Sequence, residues 1–199
     1  MTTLNLQVAA STDDAWQNAA GTVDTTGAII GSLSTGNMWA GFRFNNVTVP
    51  QGATINTATL QLYLNTTAND DLVADFYCEA ADDAGTFTTG ASDISGRSRT
   101  TAKASVSATA VGVGWYSVTG LAAAVAEVTD RAGWASGNDL AVIVDALAGI
   151  SFQCRTWDFD TSLAAKLDID YTAASAGQPT IARGRLVPGM GRPHGRQGW

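Results

Sequence analysis

Residues 38–64 read MWAGFRFNNVTVPQGATINTATLQLYL, and apolar and polar positions alternate at both ends of that stretch. Ala40, Phe42 and Phe44 fall on one side and Trp39, Gly41 and Arg43 on the other. Further on, Ala58, Leu60, Leu62 and Leu64 oppose Thr57, Thr59, Gln61 and Tyr63. A period of two marks strands with one buried face. Asn45, Asn46 and the run Pro50, Gln51, Gly52 supply turn chemistry between the two strands. The same alternation predicts strands over 3–10 (Leu4, Leu6, Val8), 72–79 (Leu72, Ala74, Phe76, Cys78), 104–110, 114–118 and 166–172 (Leu167, Ile169, Tyr171). Residues 29–33 form a short apolar piece between Gly27 and Gly36. Residues 140–147 are an apolar run broken by Asp145, expected to pair with 150–156 across a turn at Ala148 and Gly149.

One helix is expected. Leu121, Val125 and Val128 recur at helical spacing among alanines, with Thr119 as its cap and Gly133 as its end. Residues 80–103 are polar, Gly-bearing and weakly periodic, which predicts a long excursion holding at most a helical turn. The pattern stops after Thr172. Residues 173–199 hold six Gly, three Pro and four Arg, with no apolar periodicity to build a core. The expected fold is all-β, an antiparallel jelly-roll β-sandwich over 1–172 with one short helix. An extended arm over 173–199 completes it.

Composition sharpens this picture. Charged residues are 15% of the 199, and Thr, Ser, Asn and Gly cover the surface instead, which suits strands and turns. The net charge is −7; the arm carries four Arg and no acid, so residues 1–172 carry −11. An acidic body disfavours nucleic acid as a partner, while a basic arm fits a negative protein surface, including another copy of the same body. Cys78 and Cys154 lie in apolar strands and read as buried thiols, with a disulfide left open. No signal peptide and no apolar run of about 18 residues occurs, so a cytosolic product with no membrane partner is expected.

Four pieces carry a likeness to known proteins: AGFRF at 40–44, VPQGATINTATLQLYL at 49–64, YSVTGLAAAVAEV at 116–128 and KLDIDYT at 166–172. Their order resembles the DNRLRE-type jelly-roll family, β-sandwiches related to carbohydrate-binding modules. There, an Arg between aromatics leads through a Pro-x-Gly-Ala-x-Ile turn, and a Leu-x-Ile-x-Tyr-Thr strand closes the domain. The resemblance implies an adhesive, sugar-binding or structural module. The closing run GRLVPGMGRPHGRQGW resembles C-terminal extensions of tailed-bacteriophage virion proteins, which implies a virion part made in the host cytoplasm.

Candidate chemistry is sparse. His194, the single histidine, sits in the arm, where no rigid neighbour would hold a catalytic base. The acidic pairs Asp13–Asp14, Asp70–Asp71 and Asp82–Asp83, and Asp158 with Asp160, read as solvated loop acids. A glycosidase pair and a structural calcium are the sharper alternatives. Among the rings Trp16, Trp115, Tyr116, Trp134 and Trp157, the candidates for sugar stacking are Trp16, Trp115 and Trp134, with core packing as the plainer role. In the arm, Arg183, Arg185, Arg192 and Arg196 offer forked donors, and Leu186, Val187, Met190 and Trp199 offer apolar anchors for docking.

The expectation is a non-enzymatic phage structural protein without a cofactor, most simply a capsid decoration (cement) protein. It would contact the major capsid or tail protein and its own copies, as a trimer. A tail or fibre component, or a module binding host-surface glycans, is the alternative.

Overall fold

The structure, a computed structural model, describes residues 1–27, 29–31, 38–65, 70–146 and 153–174. Two antiparallel sheets face each other. Sheet A runs β1 (Thr2–Gln7), β12 (Lys166–Thr172), β6 (Thr54–Leu64), β11 (Gln153–Arg155) and β4 (Ile29–Gly31), with β9 (Gly114–Val118) on the other edge of β6. Sheet B runs β3 (Val23–Asp24), β2 (Asp14–Gln17), β5 (Met38–Phe44), β10 (Leu140–Ala146), β7 (Asp70–Glu79) and β8 (Arg99–Val111).

The core sits where the alternation places it. Ala40, Phe42 and Phe44 of β5 and Leu72, Ala74, Phe76 and Cys78 of β7 point inward. They meet Ala58, Leu60, Leu62 and Leu64 of β6 and Leu167, Ile169 and Tyr171 of β12. Each fully buried Phe or Leu is worth about 1.5–3 kcal/mol of transfer free energy. β5 and β6 lie in opposite sheets. Their connection crosses between the sheets with Val47, Val49 and Ala53 buried, and ends in a turn closed by Ala53 N–H donating to Pro50 O (3.1 Å). Gly52, at φ +70°, takes the left-handed position there. The chain changes sheet again from β6 to β7, β8 to β9, β9 to β10 and β10 to β11, the winding of a jelly roll.

Two local expectations are corrected, the hairpin and the ends of the helix. The described part of the expected partner, residues 153–156, does not pair with β10. Both edges of β10 are taken, by β5 and β7, and β11 instead pairs with β4 and β6 in the other sheet. The helix, α1 (Ala122–Thr129), starts from Leu121 rather than from Thr119, with no side-chain cap. Burial of Leu121, Ala124, Val125 and Val128 anchors it, and Asp130 ends it before Gly133. Glu127 on α1 accepts from the backbone N–H of Thr101 (2.9 Å) and Ala102 (3.0 Å), tying the helix to β8. The two cysteines are free and buried, one in each sheet. Burial pushes the Cys78 thiol up to about 12 and the Cys154 thiol upward as well.

The excursion is shorter than expected, because β8 begins at Arg99, and it packs on its own domain. Ala84, Phe87 and Ile94 lie on the outer face of sheet B against Ala15, Val23, Ala141 and Ile143. Gly41 allows this approach: a Cβ there would stand 2.2 Å from Phe87 Cζ. Arg97 holds the loop closed. It donates to Glu79 (2.8 Å), Gly85 O (2.8 Å), Thr86 O (2.7 Å) and Asp93 (3.2 Å), and lies 4.3 Å over the Phe87 ring. Gln17 accepts from the N–H of Ile94 (3.1 Å) and Ser95 (2.9 Å). β2, β5 and β10 are thus covered on both faces.

Candidate functional site

The loop acids divide: Asp83, Asp158 and Asp160 are exposed, as expected of solvated acids, but Asp13 and Asp14 are not. Asp13 and Asp14 are each 1% exposed. Asp13 bonds Arg43 Nη1 (2.5 Å) and Asn45 Nδ2 (3.0 Å). Arg43 also donates to Asp139, to Asn45 Oδ1 (2.6 Å) and, through Nε, to Ala84 O (2.7 Å). Asp139 in turn accepts from Asn46 N–H (2.7 Å), and Asp83 accepts from Asp139 N–H (2.9 Å). The Arg of the Phe-Arg-Phe strand is therefore the hub that ties the N-terminal turn, the excursion and the start of β10 together.

Asp14 stands opposite Phe42 in the β2–β5 register and so faces the core. One oxygen accepts from Trp157 N–H (2.9 Å); the other, Oδ1, has no hydrogen-bond partner. Burial raises its carboxyl to about 7 against the Trp157 N–H, which lowers it, and the nearby Asp158 and Asp13 push it further up. The folded state therefore keeps a proton here that the unfolded chain, titrating near 3.8, has lost. This contribution is fully present below pH 3.8 and is lost as pH rises through about 7, at about 1.4 kcal/mol per pH unit in between. Asp14→Asn removes that slope. Its denaturation midpoint should gain on the wild type from pH 5 to about pH 7 and level off by pH 8; parallel curves from pH 5 to pH 7 would refute a buried neutral acid.

The remaining acids are engaged locally. Asp82 pairs with Arg131 (2.6 Å), Asp71 accepts from Ala110 N–H (3.0 Å), Asp158 from Ser11 Oγ (2.5 Å) and Asp160 from Ser162 N–H (2.9 Å). Among the described residues, no group of three or more His, Cys, Asp or Glu is placed to hold a metal ion, and no helix is long and apolar enough to cross a membrane. His194 and the docking candidates Arg183, Arg185, Leu186, Val187, Met190, Arg192, Arg196 and Trp199 lie outside the described residues.

The three candidate tryptophans separate. Trp134 is 3% exposed and donates through Nε1 to Val49 O (2.9 Å), so the structure corrects it to a core residue with no face for a sugar. Trp16, on the inward side of β2, packs half-buried against the core. Trp115 alone of the three is open, at 42% exposure. It stands on β9, directly across from Tyr63 on β6, whose ring meets it edge-on (5.5 Å, 87°). Lys166, from β12 on the far side of β6, places its ammonium 4.3 Å over the Trp115 ring. Tyr63 and Lys166 were not candidates in the sequence, although both occupy outward positions of alternating strands. Around this group the outer face of sheet A is polar: Gln61 donates to Asp168, and Thr3 (2.5 Å) and Thr57 (3.1 Å) donate to Asp170.

Compared with known protein families and with curated proteins, the chain matches neither a family model nor a curated sequence. The DNRLRE likeness therefore rests on the four motifs themselves. The geometry offers an exposed aromatic ring with an ammonium over it on a polar sheet face.

Proposed function

We propose that the chain is a structural protein of a tailed-phage virion, a capsid decoration protein that stabilises the assembled particle through protein–protein contacts. The observation that carries this reading is the division of charge, −11 over residues 1–172 against four Arg and no acid over 173–199. The fold supports treating the two parts separately. β12 is paired on both edges, with β1 and β6, so Tyr171, the last core residue among those described, precedes the basic stretch. An acidic unit followed by Arg, Pro and Trp suits docking on a negative neighbour, and burying that interface shifts assembly by mass action.

Deletion of 173–199 tests this. The shortened chain should fold, with the far-ultraviolet spectrum of a β-sandwich, yet be missing from purified particles, which should then release DNA at lower temperature. Full occupancy of the particle by the shortened chain would defeat the docking role.

A second reading, attachment to host-surface glycans, is favoured by one observation: the exposed Trp115 ring held by Tyr63 on the open face of sheet A.

A further inference from the structure

We propose that the outer face of sheet A around Trp115 and Lys166 binds a carboxylated pyranose, a uronic- or sialic-type residue of an acidic polysaccharide. This rests on the glycan-attachment reading and narrows it to a ligand charge. Cations are scarce in residues 1–172, and most are committed. Arg43 pairs with Asp13 and Asp139, Arg97 with Glu79 and Asp93, Arg99 with Asp145, Lys103 with Asp75 and Arg131 with Asp82. Arg155 donates to Asn65 (2.5 Å) and stacks on Phe159 at 3.5 Å. Lys166 differs. Among the described residues it makes no ion pair, and its ammonium sits 4.3 Å over an indole that is 42% exposed. Asp168, the nearest acid along its strand, accepts from Gln61 instead.

These positions set the ligand's chemistry. The flat C–H face of a pyranose covers apolar area on an indole, and Tyr63, edge-on at 5.5 Å, fixes the ring that receives it. A sugar stacked there meets the Lys166 ammonium. A neutral sugar gives that ammonium only hydroxyls, whereas a carboxylate gives it a charge-assisted hydrogen bond. The selection matters on a body of charge −11, whose net field disfavours anions. β9 pairs only with β6 among the described residues, so the ring lies at the sheet edge, where a polymer can pass.

The test is calorimetric titration of the full chain with trigalacturonate, a hyaluronan tetrasaccharide and sialyllactose. Each is run beside a neutral counterpart: the methyl ester for the first two and lactose for the third. At least one acidic sugar should bind more tightly than its counterpart. Lys166→Gln should weaken the acidic sugar about fivefold or more, as for loss of a charged hydrogen bond, and leave the neutral one unchanged. Trp115→Ala should abolish both while circular dichroism stays the same. Equal binding of acidic and neutral forms, or indifference to Lys166→Gln, would overturn the charge selection and leave sugar binding standing. Binding that survives Trp115→Ala would place the sugar elsewhere and overturn the proposal. No binding of any sugar at about 10 mM, a dissociation constant too weak to hold a surface, would overturn both this inference and the glycan reading.

Discussion

Arg43→Met should cost the domain about 3–5 kcal/mol, the usual penalty for leaving a buried charge without its partner. Among the described residues the side chain is the sole cation bonded to Asp13, which is 1% exposed, and it also engages Asp139, Asn45 and the Ala84 carbonyl. Methionine fills much of the volume but returns none of those donors. A urea titration would show the midpoint falling by most of the protein's margin. Arg131→Met is the natural comparison. Its pair with Asp82 is solvent-exposed on both sides, at 38% and 45%, so about 1 kcal/mol or less is expected. Equal losses for the two variants would show that the Arg43 cluster is not a hub.

Phe87→Ala should be nearly as damaging, about 3–5 kcal/mol for a large aromatic removed from a fully buried site. The ring fills the space above Gly41 and supports the Arg97 guanidinium at 4.3 Å, so its loss opens a cavity and frees the loop together. Hydrogen exchange would locate the effect. Amides of residues 80–98 should lose protection well before those of β6 and β12. A loss below about 1 kcal/mol, the range of ordinary surface changes, would mean that the excursion does not seal sheet B.

Much of the sandwich is legible in the sequence because most of its strands bury one face. β5, β6, β7 and β12 carry their core residues at every second position. β10 reads as unbroken apolar sequence for a physical reason: Val142 and Val144 enter the main core while Ala141 and Ile143 meet the excursion. Pairing is less legible. Residues near in sequence suggest a hairpin, but whether both edges of β10 are free depends on strands about 65 and 100 residues away. The burial of Asp13 and Asp14 is hidden for the same reason, since their partners, Arg43 for Asp13 and the Trp157 N–H for Asp14, are distant in the chain and the adjacent polar residues look like any surface turn. Of the three candidate tryptophans, alternation places Trp115 outward beside Tyr63. Nothing local distinguishes Trp134, whose burial is set by the carbonyl of Val49 across the crossing loop. Lys166 joins Trp115 only because β6 brings β9 and β12 to its two edges.

The asymmetric covering of the sheets gives the molecule a front and a back. On the sheet B side, a neighbour arriving over β2, β5 and β10 meets irregular backbone already bonded to itself. On the sheet A side it meets Thr, Asn, Gln and Asp side chains at a regular repeat, about 6.6 Å along each strand and about 4.8 Å between strands. A surface with that spacing is a regular grid of polar side chains, whereas the covered strands of the opposite face present none.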